Sequence, residues 1–278
     1  MQNSQRRILK TNLRRKSDAE TLNITSINFS FSLPVTINNM HSDTIVSNEG
    51  KRLGKKLVLF DVDYTLLNST AAHWIAYKMA FRKVYSVELP QDFPHWDGYT
   101  DLQIIYAFMK EYRLGRDELK AREIIRVMVE EFMKQDLSKS YLLSGVEELL
   151  SELKKDNDVI IGLVTGNIED IAYAKLKHLR IEEYFVLGGF GETSDVRADL
   201  VYDAIRKAEK DYGKIDKRNI FIVGDTHNDI KAARDAGVKV IAVATGYADI
   251  KELKKHDPDY LFNDLTDTKK VIDVIQNG

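Results

Sequence analysis

The chain has 278 residues, 44% of them apolar and 30% charged, with no cysteine and a formal net charge of −2. That length allows one large domain or two modest ones around a substantial core, and the lack of cysteine excludes disulfides, thiolate catalysis and cysteine-held metals. No apolar run nears the ~20 residues that span a bilayer.

The first fifty residues differ from the rest. They are rich in Asn, Ser and Thr, and the first seventeen hold six basic residues and no acidic one. Residues 1–56 together carry ten Lys/Arg against four Asp/Glu, which leaves the remainder at −8. An acidic body of that kind argues against nucleic-acid binding by the folded part, while a small anionic substrate needs only local positive charge. The one apolar patch of this segment, INFSFSLPVTI, is interrupted by Pro34. The composition predicts a disordered basic extension over residues 1–54. Two sharper readings attach to it, an organelle transit peptide and a basic arm that touches nucleic acid or anionic lipid. Met40 offers an alternative start. Without a targeting signal the expected location is cytoplasmic.

From Lys55 the pattern becomes regular. LVLF (57–60) is the continuous apolar run of a strand buried on both faces of a parallel sheet. Asp61 and Asp63 follow it directly in LVLFDVDYTLLNST, with no basic residue between them. Two carboxylates this close repel unless a cation or shared proton relieves them, although Asp is also common in the polar turn that closes a strand. Over residues 68–143 the alternation stops. NSTAAHWIAYKMAFRKVYS, DLQIIYAFMKEYR and DELKAREIIRVMVEEFMKQ read as helices with no strand signal between them. Thr100 and Gln103 are spaced as a capping box for the second of these. A helical insertion directly after the first strand sits above the strand ends, where a lid belongs.

Alternation then resumes. VIIGLV (159–164), IFIV (220–223), VIAVA (240–244) and a short YLF (260–262) read as buried strands. IEDIAYAKLKHL (168–179), ADLVYDAIRKAEKDYG (198–213) and NDIKAARDAG (228–237) read as helices, the last two closed by glycine. In the first of them Ile168, Ile171, Ala172, Leu176 and Leu179 form one face. The pattern predicts an α/β fold, a doubly wound parallel sheet built from residues 55–67 and 144–278, with the helical cap inserted between. Ligands bind such sheets beyond the carboxyl ends of the strands. Asp61 and Asp63 stand there after the first strand, Thr165, Gly166 and Asn167 after the second, and Gly224, Asp225 and then Asp229 after the third.

Carboxylates converging on one point need a hard divalent cation, and oxygen ligands without His or Cys suit Mg²⁺. One carboxylate can attack phosphorus and form an aspartyl-phosphate. A second can protonate the leaving oxygen and later activate water. The Thr165 hydroxyl and backbone N–H groups at Gly166 and Asn167 can bind the phosphoryl group, and Arg197, just before the 198–213 helix, is the best-placed cation.

DVDYTL (61–66), LVTGN (163–167), Arg197 and GDTHND (224–229) together resemble, in order and spacing, the four motifs of the haloacid dehalogenase superfamily. The insertion is similar to that family's C1 cap. TDLQI (100–104), GGFG (188–191) and VATG (243–246) resemble its phosphoglycolate-phosphatase-like branch. The resemblance spans roughly residues 55–278. It implies Asp61 as nucleophile, Asp63 as general acid and base, Thr165 on a phosphoryl oxygen and Arg197 in the place usually held by lysine. It also implies Mg²⁺ held by Asp61, Asp225 and the Asp63 carbonyl, with Asp229 ligating or orienting its water. Because relatives that cleave carbon–halogen or carbon–phosphorus bonds generally lack the second acidic residue, Asp63 favours phosphate transfer.

Tyr64 departs from the pattern, standing where glycine is most common. The reading adopted here is that this position needs no left-handed backbone. Asp225 and Asp229, four residues apart, share a helix face if the helix starts early enough, His227 between them is expected to be a solvated loop residue, and HWDGYTD (95–101) either to read the leaving group or to pack the cap's aromatic residues. No GxGxxG or Walker sequence points to a nucleotide cofactor. The expected activity is a Mg²⁺-dependent phosphatase on a small phosphorylated metabolite, with no membrane partner. A phosphomutase on the same scaffold and a weakly active member that binds a partner through its basic tail are the alternatives.

Overall fold

A computed structural model describes residues 54–69, 71–94 and 96–278; the proposed basic extension, but for Gly54, and His95 of the HWDGYTD stretch lie outside the described residues. In chain order the elements are β1 (Lys56–Phe60), β2 (Leu67–Asn68), α1 (Ala72–Tyr85), α2 (Asp101–Glu111), α3 (Glu118–Phe132), β3 (Tyr141–Leu142) and α4 (Val146–Lys154). Then follow β4 (Val159–Thr165), α5 (Glu169–His178), β5 (Gly188–Phe190), α6 (Arg197–Tyr212), β6 (Ile220–Gly224), α7 (His227–Ala236), β7 (Lys239–Val243), α8 (Ile250–Lys254), β8 (Tyr260–Phe262) and α9 (Thr268–Asn277).

Six strands form one sheet in the order β5-β4-β1-β6-β7-β8, every neighbouring pair parallel. The chain leaves β1 to one side, through β4 and β5, and returns to β6 on the other. This reversal of direction beside β1 opens the crevice where a doubly wound sheet takes its ligand. Phe60, the end of β1, is level with Leu163 and Val223, so β4 runs two residues and β6 one residue beyond it on the same edge. Their side chains alternate between two apolar layers. Val58 and Phe60 pack towards α4, α5 and α9, and Leu57 and Leu59 towards α6 and α7.

β5 has no counterpart in the sequence reading. Its two glycines lack an apolar signature, and both are set by crowding: a Cβ on Gly188 would meet the Phe190 ring, and one on Gly189 would land on the Leu200 carbonyl of α6. Glycine at 189 lets α6 approach the sheet this closely, and glycine at 188 makes room for the Phe190 ring.

Between β2 and β3 the chain forms three helices around their own apolar cluster, centred on Phe81, Phe108, Ile124 and Met128 and extended by Ile168 and Ile171 of α5. Thr100 caps α2 by accepting from the Gln103 N–H at 3.1 Å, and Asp117 caps α3. β2 and β3 pair with each other antiparallel, Leu67 opposite Leu142, where the chain enters and leaves these helices. The loop before α2 docks on the strand ends. Asp101 N–H donates to the Gly166 carbonyl at 2.7 Å, Leu102 N–H to Gly191 at 3.1 Å and Asn228 Nδ2 to the Asp97 carbonyl at 2.9 Å. Among the described residues no helix is long and apolar enough to cross a membrane.

Candidate active site

β1 ends in the buried Asp61, whose N–H bonds the Val223 carbonyl of β6 at 2.9 Å. One ligand oxygen each from Asp61, Asp225 and Asp229 lies within 4.8 Å of the others, and all three residues are buried. Arg197, the first residue of α6 rather than the residue before it, reaches into this cluster. Its Nη2 is 3.1 Å from Asp61 Oδ1 and 2.6 Å from Asp229 Oδ1, while Nη1 donates to the Gly98 carbonyl of the docked loop at 3.0 Å. Paired with two carboxylates, the guanidinium is held protonated far above its ordinary range despite burial.

Burial, with Asp229 and Asp63 nearby, pushes the Asp61 carboxyl up to about 6 even against Arg197. Burial and the same neighbouring carboxylates push Asp225 well above its ordinary value. With all three carboxylates ionised, one guanidinium would leave two negative charges at one point, the repulsion that raises Asp61 and Asp225 and that a bound cation would relieve. An all-oxygen donor set of this kind fits a hard divalent cation.

The fourth carboxylate stands apart from this trio. Asp63 was expected to converge with Asp61 and Asp225, but Lys175 draws its side chain away. Lys175 Nζ lies 2.9 and 2.7 Å from the two Asp63 oxygens. Burial favours the neutral acid, yet Lys175, helped by its own and the Asn167 hydrogen bonds, holds the Asp63 carboxyl down at about 2. Asn167 Nδ2 donates to Asp63 Oδ2 at 2.9 Å and to Thr165 Oγ1 at 2.7 Å. Thr165 is fully buried at the end of β4. At Gly166 a Cβ would land on the Tyr99 carbonyl, so glycine here admits the docked loop.

Asp225 and Asp229 do not share a helix face, because Thr226 caps α7 and Asp225 precedes the helix. Asp229 instead closes a capping box with Thr226. Its Oδ2 accepts from Thr226 N–H at 3.1 Å and Oγ1 at 2.6 Å, and its Oδ1 accepts from Arg197. His227 is exposed as expected, but it opens α7 and stacks on His256 at 5.3 Å rather than lying in a loop. The expectation for Tyr64 is overturned, for it does adopt a left-handed backbone, φ 57°. Thr245 Oγ1 donates to its carbonyl at 2.5 Å, its N–H bonds Leu67 at 2.7 Å, and its ring meets Tyr247 edge-on at 5.1 Å. The surroundings thus over-determine a conformation that tyrosine alone would avoid.

A cavity of about 630 Å³ opens above these groups, with Asp61, Asp63, Asn167, Lys175, Arg197 and Asp225 in its floor. Trp74, Phe93, Trp96, Tyr99 and Lys78 form part of its helical side. Of the HWDGYTD residues, Trp96, Asp97, Tyr99 and Asp101 therefore border the site, and they also pack: the Trp96 ring lies 4.8 Å from Phe108. Sequence reasoning missed Lys175. Its signal was available, for it falls four residues after Ile171 and three after Ala172, a lysine on the apolar face of α5.

Residues 58–243 match the model of the haloacid dehalogenase-like hydrolase family, and the chain belongs to that family. It is 27% identical over 238 residues to a phosphoglycolate phosphatase of Vibrio vulnificus, covering 79% of this chain and 96% of that protein. An N-acetylmuramic acid 6-phosphate phosphatase of Pseudomonas aeruginosa is 26% identical, with 71% and 85% covered. A relative from Caldanaerobacter subterraneus is 32% identical, but the match spans only 46% of this chain and 56% of that protein. Among solved structures, a predicted phosphatase from Clostridium acetobutylicum shares the fold with a TM-score of 0.61 at 23% identity, over 79% of this chain and 99% of that one.

Proposed function

We propose that this hydrolase cleaves small-molecule phosphate monoesters through an aspartyl-phosphate on Asp61. The observation that carries the reading is the buried Asp61 set between Arg197 and the Asp225–Asp229 pair on the floor of a closed-over cavity.

In the first half-reaction an Asp61 oxygen attacks phosphorus, the ester P–O bond breaks, and the proton that the ester monoanion brings passes through Asp63, ionised at rest, to the leaving oxygen. In the second, Asp63 takes a proton from water as that water attacks phosphorus, the P–O bond to Asp61 breaks, and inorganic phosphate leaves. Arg197, Thr165 and the Gly166–Asn167 segment would hold the phosphoryl oxygens. Asp61, Asp225 and the Asp63 carbonyl would hold Mg²⁺, with Asp229 orienting that group from its bonds to Thr226 and Arg197. When bound, Mg²⁺ would neutralise charge on the phosphoryl oxygens. Residues 68–143 act as the cap, and the aromatic side of the cavity supports a leaving group larger than glycolate, such as a sugar or nucleoside.

The test is phosphate release from p-nitrophenyl phosphate and a panel of alkyl, sugar and nucleoside monophosphates, with Mg²⁺ and with EDTA. Release that needs Mg²⁺ and disappears in Asp61→Asn is expected. Substrate isomerised without free phosphate would replace this reading with the mutase one.

A further inference from the structure

Lys175 lies outside the four motifs and is 1% exposed. A buried ammonium needs its three protons engaged, and every partner it has here leads to the acid/base carboxylate. Its three protons are shared among four acceptors, the two Asp63 oxygens, Asn167 Oδ1 at 2.6 Å and, at the longest distance, His73 Nδ1 at 3.4 Å. Since lysine only donates, His73 Nδ1 accepts, which leaves its Nε2–H for Asp101 Oδ2 at 3.1 Å. Asp101 is itself fixed by Tyr77 Oη at 2.5 Å and by the Ile168 N–H at 2.8 Å. The ammonium therefore cannot drift, because α5 carries it and α1 and α2 brace it from the other side.

Asp63 takes four contacts from three donor groups: Ser69 Oγ at 2.8 Å, Asn167 Nδ2 at 2.9 Å and Lys175 Nζ at 2.9 and 2.7 Å. A leaving oxygen that approaches this carboxylate displaces the donor that is held least firmly. Lys175 and Asn167 are buried, whereas Ser69 is a half-buried hydroxyl that borders the cavity beside β2. The leaving oxygen then takes the place of the Ser69 hydroxyl while the other bonds persist.

Resting on the phosphatase reading, we propose that Lys175 is the positioning residue of the acid/base step: together with Asn167 it fixes the Asp63 carboxylate so that one oxygen faces the leaving group. It acts through Asp63 and does not hold the phosphoryl group, a task left to Arg197.

The test separates these roles by leaving group. kcat/KM reports steps only up to departure of the leaving group, and an alkoxide needs a positioned acid far more than p-nitrophenolate does. Lys175→Met should lower kcat/KM for alkyl phosphates by about 100-fold, the lower end of what general acid catalysis contributes, and that for p-nitrophenyl phosphate by less than about tenfold. Lys175→Gln, which keeps a donor in case the methionine variant fails to fold, should show the same selectivity at smaller size. In an Asp63→Asn background either substitution should cause no further loss. Equal losses for all leaving groups, or losses that multiply with Asp63→Asn, would overturn the proposal and make Lys175 a phosphate-binding cation. Wild-type protein inert towards every ester would instead remove the phosphatase reading, and this proposal with it.

Discussion

Tyr64 and Asp61 carry opposite kinds of constraint. Tyr64 sits at φ 57°, where a Cβ is unfavourable and glycine is not. Replacing it by glycine relieves the backbone but removes an edge-to-face ring contact, two effects of about 1 kcal/mol each. Tyr64→Gly should therefore match wild type within about 1 kcal/mol in urea unfolding, whereas Tyr64→Ala, which loses the ring and keeps the strain, should be less stable by about that amount. If alanine proved the more stable, the backbone strain argued here would be wrong.

Asp61 links residue chemistry to pH. Its carboxyl is raised from the usual 3.8 to about 6 in the folded chain, so folding favours its protonated form. That contribution is fully present below pH ~4 and is lost as pH rises through 6. In EDTA, the thermal midpoint of wild type relative to Asp61→Asn should fall between pH 4.5 and 7. A difference that stays constant would show that Asp61 titrates normally. Asp63, held down at about 2, has the reverse sign and contributes above pH ~4, losing that contribution only as pH falls towards 2.

At the scale of elements, Gly166 and the Asp97–Leu102 loop decide whether the helical insertion stays seated. A Cβ at Gly166 collides with the Tyr99 carbonyl, so Gly166→Ala should undock the loop. The expected result is faster proteolysis within residues 86–100 and a loss of phosphate release that exceeds the loss of thermal stability. Unchanged proteolysis with full activity would mean that the loop tolerates displacement.

The elements also show what a sequence can and cannot disclose. β1, β4, β6 and β7 were legible because continuous Val, Ile, Leu and Phe runs have few other uses in a chain of this composition. β5 was not, since Gly188 makes room for the Phe190 ring, Gly189 serves the approach of α6, and neither carries a pattern of its own. The start of α7 was misplaced because Thr226, a good cap, lies between two aspartates that invite pairing. Asp61, Asp225, Arg197 and Thr165 could be found because they end strands or open a helix at one edge. Lys175 could not be assigned without coordinates, as its partner Asp63 lies 112 residues away.

For the whole molecule, the net charge of the site matters more than any single bond. Burial and mutual repulsion disfavour the ionised forms of these carboxyls, so Mg²⁺, which would bind them ionised only in the folded chain, should stabilise the native state by mass action, about 2.7 kcal/mol at a hundred times its Kd. Wild type should gain thermal stability with added Mg²⁺, and Asp225→Asn should lose most of that gain. No shift for wild type would take the metal out of the site.

The β2–β3 ribbon has a different kind of consequence. Because Asn68 faces Tyr141 across it, the stretch from residue 69 to 140 leaves and rejoins the sheet-bearing part at neighbouring points. A segment tethered in this way behaves as an interchangeable module. It can be lengthened, shortened or exchanged for another fold without altering the separation of the two chain ends that hold the strands in register. Chimeras that graft a foreign insertion between Asn68 and Tyr141 are thus a direct way to redirect which ester this scaffold accepts.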